Sequence, residues 1–388
     1  MNILVVCDSC LYARFGTSFV HAQAAAYAAL GHRVRVIVPY PIGKRDWDGK
    51  RFSGPVRRWT QDGVEIFAMR YLSLSRYGLG GFNLAQALRV LPKKLDRLLK
   101  GFAPEVIHAH TLGFDSEIGA FLKERLGLPL VVTSHGSDTT VPMNLGKHEE
   151  MRRLCDRVDA VVAVSGVLRD RLLPCGTATP VYVIHNGFRL QHLSGQTRKV
   201  PCTFQQTGHL IELKKADVTI RAFARIHAAH PEARLTILGT GVMRQELEEL
   251  CRQLEVAESV RFLGEVPNAR VFEELGRTQF YVMPSVREGL PISYLEAMAS
   301  GCITVGTAGE GISEIISSGE NGFLVPPDDP EAIARAVEWC LEHPGEAEAI
   351  AGRGRRDALE LTWERNAKEY LELFERMRSD GKQNGTGG

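Results

Sequence analysis

Residues 287 to 301 read REGLPISYLEAMASG, with two glutamates, Glu288 and Glu296, placed eight positions apart around a Gly-Leu-Pro turn. Ionised carboxylates accept hydrogen bonds from hydroxyls, and paired ones do acid and base work, so their spacing decides which chemistry they can share. Proline suits the first turn of a helix and glycine its end, so the spacing predicts a helix over about 291 to 299, stopped by Gly301. Glu288 then belongs to the loop before it. Were both glutamates helical, eight steps would separate them by roughly 12 Å of axial rise, too far for an ordinary pair of glycosidase carboxylates. They are expected to have separate tasks. The helix start offers backbone N–H groups and a positive dipole end to a phosphate, and Gly289 lets the main chain come close. Glu296, a turn and a half on, suits two vicinal hydroxyls such as those of a ribose. Glu288 would reach the group on the other side of the phosphates.

Elements that could hold such a site follow from the alternation of short β-branched runs with helix-length amphipathic stretches, the signal for parallel sheets covered by helices. The first half offers NILVVC, RVRVIVP, VEIFAM, EVIHAH, LPLVVTSH, AVVAVS and VYVIHN. A second series starts over with CTFQQTG, RLTILG, VRFLGE, QFYVMP, CITVGT and GFLVP, separated by helices over 216 to 230, 244 to 254 and 269 to 275. Two doubly wound α/β domains are expected, 1 to 187 and 188 to 361, joined near the Asn186-Gly187 turn. A ligand between them would meet the carboxyl ends of both sheets. Residues 362 to 378 read as an amphipathic helix, and 379 to 388 have the composition of a disordered tail.

Gross composition narrows the function. A chain of 388 residues suits two domains, and a net charge of +1 gives no reason to expect nucleic acid as a partner. The eight cysteines follow no framework spacing and read as thiols of a reducing compartment. Cys7 and Cys10 match CxxC but lack a second pair or histidines for zinc. The opening MNILVVCDSC enters a strand directly, and no eighteen apolar residues occur together, so a soluble cytoplasmic protein is expected. Asp46-Trp47-Asp48 sits among Lys44, Arg45, Lys50 and Arg51 and reads as surface, and Gly239-Thr-Gly241 as a strand-to-helix turn. His108, His110, His21 and His185 read as packing or capping residues. The stretch 86 to 102 combines leucines with Arg89, Lys93, Lys94, Arg97 and Lys100, as a sheet-covering helix or a peripheral membrane helix would.

Glu-Gly-Leu-Pro followed by Glu296 resembles the Glu-x7-Glu motif of family 4 retaining glycosyltransferases, enzymes of the GT-B fold, in which two Rossmann-like domains face each other across a cleft. Further pieces stand in order along nearly the whole chain: GTSFVHAQAAAYAALGHRV (16 to 34), VIHAHT (106 to 111), SHGSD (134 to 138), AVSGVLRDRL (163 to 172), HNG (185 to 187), GHLIELKKADVTIRAF (208 to 223), RFLGEVP (261 to 267) and ENGFLVPPDDPEAIARA (320 to 336).

The resemblance implies transfer of a sugar from a nucleotide diphosphate, most commonly UDP, to an acceptor hydroxyl with retention, with no metal and no other cofactor. The acceptor is not specified, and a lipid-linked one in cell-surface polysaccharide or glycolipid assembly would put the enzyme at the inner membrane face. By the same resemblance Lys214 meets the departing diphosphate, Glu296 the ribose, Glu288 with Gly289 and Leu290 the donor sugar and phosphates, and the loop holding Gly264 and Val266 the base. Gly16 and Thr17 begin a helix toward the diphosphate or acceptor, His135 stands beside the donor sugar, and Asp138 orders its loop or touches acceptor. The catalytic set would be Lys214, His135 and Glu288. The family's Gly-Arg-Leu-x-x-x-Lys-Gly pattern is altered here: His209 replaces the arginine and Lys215 the final glycine. That leaves two alternatives open, a pseudoenzyme that binds a nucleotide sugar without turnover and a nucleotide-sugar epimerase of similar architecture.

Overall fold

The computed structural model describes residues 1–8, 19–42, 56–73, 80–190 and 199–384. Among them the chain divides into two units, Met1–His185 with Trp363–Gly388, and Asn186–Thr362. Gly16, Thr17, Cys10 and the Asp46-Trp47-Asp48 stretch lie outside the described residues.

In the first unit, runs such as NILVV and LVVTS are buried along almost their whole length, which suits strands covered on both faces. Strands β1 (Asn2–Val6), β2 (Arg33–Pro41), β3 (Val56–Gln61), β4 (Val64–Tyr71), β5 (Val106–His110), β6 (Leu130–Ser134), β7 (Ala160–Ala163) and β8 (Val181–Val183) form one sheet in the order β3-β4-β2-β1-β5-β6-β7-β8. Helices α1 (Phe19–Ala29), α2 (Gly80–Val90), α3 (Leu95–Leu99), α4 (Phe114–Leu126), α5 (Ser137–Asn144), α6 (His148–Cys155) and α7 (Gly166–Leu172) connect them.

All pairings in this sheet are parallel except β3 with β4. Strand β3 was not among the expected strands, because VRRWTQ has no buried apolar run and lies at a half-exposed edge. Its hairpin turn is Asp62-Gly63, with φ of +48° and +76° and Gln61 paired to Val64, as a two-residue type I′ loop requires.

The second unit repeats the plan with β9 (Val200–Thr207), β10 (Arg234–Leu238), β11 (Val260–Gly264), β12 (Thr278–Val282), β13 (Ile303–Thr307) and β14 (Phe323–Val325) in the order β11-β10-β9-β12-β13-β14, all parallel. Helices α8 (Ala216–Ala229), α9 (Arg244–Gln253), α10 (Asn268–Arg277), α11 (Ile292–Ala299), α12 (Pro330–Glu342) and α13 (Pro344–Leu359) cover it. This is the doubly wound order whose direction reverses between β9 and β12, where such sheets open a crevice at the strands' carboxyl ends. In the first unit the reversal falls between β1 and β5.

The last helix, α14 (Trp363–Asn384), belongs to the first unit, where buried Ala367, Tyr370 and Phe374 join the core around Ile3 and Val5. It continues beyond residue 378, where composition suggested a tail, because extending a formed helix adds a backbone bond for each residue fixed.

The basic stretch 86 to 102 is not one helix. Helix α2 ends at Val90, Pro92–Lys94 makes a single tight turn, and α3 follows. Leu91, Leu95, Leu98 and Phe102 are buried in the first unit's core, leaving Arg89, Lys93, Arg97 and Lys100 exposed. Its apolar side is thus committed to the protein. No described helix is long and apolar enough to cross a membrane.

Candidate active site

Past the ends of β9, β10 and β11, backbone bonds continue from loop to loop: Gly208 N–H donates to Leu238 O at 2.9 Å, Leu210 N–H to Thr240 O at 2.9 Å and Gly239 N–H to Gly264 O at 2.8 Å. Gly239 and Gly241 are therefore more than a turn. A Cβ on Gly239 would lie 1.9 Å from Gly208 O, and one on Gly241 2.2 Å from Leu210 O. The predicted base-contact residues stand beside this joint, Gly264 in it and Val266 half-buried just beyond.

The turn Glu212–Lys214 is stitched to the loop before α11 by Val286 N–H, which donates to Leu213 O at 2.9 Å. That stitch brings two predicted residues together. Lys214 Nζ lies 2.6 Å from Glu288 Oε1, with the side chains only 17% and 21% exposed. Glu310, buried and not singled out from sequence, holds the loop: its carboxylate accepts from Arg287 N–H at 2.9 Å and Glu288 N–H at 3.1 Å. These charge-assisted bonds fix Arg287 at φ +60°, a left-handed conformation that a side chain disfavours by roughly 1–2 kcal/mol. Asn186, also buried, donates from Nδ2 to Leu290 O at 3.0 Å and holds the other side of Gly289.

Helix α11 begins at Ile292 with Pro291 as its N-cap, a residue with no side-chain acceptor, so the cap residue itself does not compete with an incoming anion. It ends as expected: Gly301 N–H donates to Met298 O at 2.8 Å and Cys302 N–H to Ala297 O at 3.0 Å, a Schellman motif. Tyr294, Leu295, Ala297 and Met298 bury the helix against the sheet and leave Glu296 half-buried. Among the described residues nothing hydrogen-bonds or ion-pairs with its carboxylate, and burial pushes it up to about 7.

Lys215 and His209 do not join the Lys214–Glu288 pair. Lys215 sits at φ +51°, a conformation that explains why the family pattern has glycine there, and its Nζ pairs with Asp328 Oδ1 at 2.8 Å. Its bond to Asp328 holds its ammonium pKa above the usual value. His209 is exposed.

In the first unit, His135 follows β6 and its ring lies 4.6 Å from that of Phe19. His135 Nε2 stands 3.0 Å from His110 Nδ1, with the ring planes 10° from parallel. Burial lowers His135 to about 4, against the opposing effect of Asp138, and pushes His110 well below its usual value. Both are neutral at pH 7, with one ring N–H donating to the other's bare nitrogen. His110, read from sequence as packing, is thus the side chain that orients His135. Asp138 orders the loop, accepting from His135 N–H, Gly136 N–H and Leu112 N–H at 2.9 to 3.0 Å. His108 is a core residue, 2.8 Å from Thr133 Oγ1, and His21 is buried against Asp62.

Residues 196–357 match the family model described as glycosyl transferases group 1, and residues 16–192 that of glycosyltransferase family 4. An uncharacterized glycosyltransferase of Methanocaldococcus jannaschii is 37% identical over 168 residues, 43% of each chain. Among solved structures, sucrose-phosphate synthase from Thermosynechococcus elongatus superposes with a TM-score of 0.81 at 18% identity, covering 98% of this chain and 100% of that one. The Anabaena protein HepE, solved with UDP and glucose, gives 0.74 at 17% identity, covering 97% and 100%. At these identities the two structures establish the fold, which is GT-B.

Proposed function

The chain belongs to the family 4 glycosyltransferases, and from that premise we propose that it moves a sugar from a UDP-sugar to an acceptor hydroxyl, retaining the anomeric configuration and with no metal at the donor. The observation that carries this reading is the Lys214–Glu288 pair held beside the uncapped start of α11. When the bond between sugar and diphosphate breaks, negative charge grows on the departing phosphate. A lysine fixed before the reaction stabilises that charge without reorganising. In the donor-free protein Glu288 neutralises Lys214, and with donor bound it turns to the sugar while the phosphate takes over the lysine. The α11 amides receive the phosphates and Glu296 the ribose hydroxyls.

The acceptor attacks the face the diphosphate leaves, and the departing phosphate oxygen takes the acceptor's proton. No separate general base is assigned. His135, neutral and held by His110, is the residue of the first unit that we assign to the donor sugar, from its place just after β6. The uridine assignment is supported by the UDP bound to the Anabaena neighbour. The exposed Arg89, Lys93, Arg97 and Lys100 suit an anionic membrane surface by charge alone, as a lipid-linked acceptor at the inner membrane face would require.

Incubation with a panel of UDP-sugars, followed by UDP release, tests the reading. At least one donor should be cleaved, at the same rate with and without EDTA. No cleavage of any donor overturns transfer in favour of binding alone, and loss of cleavage in EDTA overturns metal independence.

A further inference from the structure

At the opposite edge of the second sheet, the amino-terminal ends of β9 and β10, a cysteine, a histidine and a glutamate converge although the first two stand 28 positions apart in the sequence. We propose that Cys202, His230 and Glu232 form a binding site for a thiophilic divalent cation of the zinc class, separate from the donor-binding residues. Cys202 Sγ lies 3.5 Å from Glu232 Oε1, and His230 Nδ1 lies 3.6 Å from the same oxygen. A tetrahedron with metal–ligand bonds of about 2.0–2.3 Å has edges of roughly 3.3–3.8 Å, so two of the three edges already have the spacing a metal needs. All three ligand atoms fall within 4.8 Å of one another.

Thiolate, imidazole and carboxylate are the donors zinc takes, and three of them leave its fourth position for water. The backbone aims the cysteine. Between its pairings with β12 at Val200↔Thr278 and Phe204↔Phe280, strand β9 carries extra residues, and Cys202 there has φ +54°. Such a bulge turns a side chain away from its place in the ladder. Gln279 braces it, accepting from Cys202 N–H at 2.8 Å and donating its own N–H to Thr203 Oγ1 at 3.0 Å. His230 closes α8, its N–H donating to Ile226 O, and its carbonyl accepts from Ala233 N–H, so a tight turn presents His230 and Glu232 together.

Cys202 is 5% exposed while the Glu232 side chain is 62% exposed, an arrangement with a dry sulfur and an open approach. Thiol and imidazole both face the same Glu232 oxygen, which brings the three donors together. On binding, the thiol proton leaves to solvent, and the metal ties the start of β9 to the α8–β10 turn.

The test uses the full untagged chain. Zinc affinity is measured by competition with a chromophoric chelator, and cobalt(II) serves as a spectroscopic probe. We expect one equivalent bound, a cobalt spectrum of tetrahedral type with a thiolate charge-transfer band, and a zinc-induced rise in Tm. Cys202→Ser should abolish the band and weaken zinc by more than about 100-fold, and His230→Ala should weaken it while keeping the band. Cys251→Ser, a buried thiol elsewhere in the unit, should change neither. Equal zinc affinity in the parent and Cys202→Ser, or cobalt bound without a thiolate band, overturns the site.

Discussion

Glu296 holds its carboxyl near 7 because α11 buries it without giving it a cation, and this has a measurable sign. Below about pH 7 the donor-free protein carries it protonated; above, it is ionised, the form that the proposed contact to both ribose hydroxyls requires. UDP-sugar affinity should therefore rise about tenfold from pH 6 to pH 8, and Glu296→Gln should flatten the dependence. A pH-independent affinity in the parent protein would contradict this role. Glu296→Ala should weaken the donor by about 10- to 100-fold, measured by calorimetry. Lys214→Ala should lower kcat by about 100-fold and donor affinity far less, because its partner charge grows along the reaction. Equal losses in both would make it a ground-state contact. Lys214 and Glu288, which the fold brings together, were singled out by residue type and order alone. Glu310 and Asn186 were not: they act on main-chain groups 22 and 104 residues away, contacts that only the folded loops create.

The loop before α11 depends on Glu310 as an element depends on its brace. Glu310→Ala leaves the Arg287 and Glu288 amides without their acceptor, at a cost of roughly 1–3 kcal/mol, while Glu310→Gln keeps one oxygen for them. Chemical denaturation should rank parent, Gln and Ala in that order, with donor affinity following the same rank. Donor affinity unchanged in Glu310→Ala would show that the loop holds itself. Gly239→Ala should be worse for stability than an ordinary surface change, since its methyl would meet the Gly208 carbonyl and spread the joint under Lys214. The helices around the site were readable to within a residue or two of their ends, since apolar periodicity and Pro or Gly punctuation act locally. Strand β3 was missed although its Asp-Gly turn was in plain view, because polar edge strands lack the buried run that betrays central ones. The basic stretch 86 to 102 shows the converse: its leucines mark an apolar face, but not whether core or membrane covers it.

The whole chain builds one doubly wound plan twice and returns at its end to the first unit, an organisation legible from the restart of strand runs after residue 200. With the leucines committed to the core, any membrane attachment through α2 and α3 rests on charge. Co-sedimentation with anionic vesicles should fall by roughly 30-fold when Lys93 and Arg97 are both changed to Gln, at about 1 kcal/mol per charge. Binding that ignores either the charge pair or anionic lipid would remove the membrane contact and leave the transfer chemistry standing. That chemistry is tested most directly by proton NMR of the sugar freshly released or transferred from a UDP-sugar whose anomeric configuration is α. An α product is expected at first appearance, before mutarotation, with the signal lost in Lys214→Ala. A β product would contradict it.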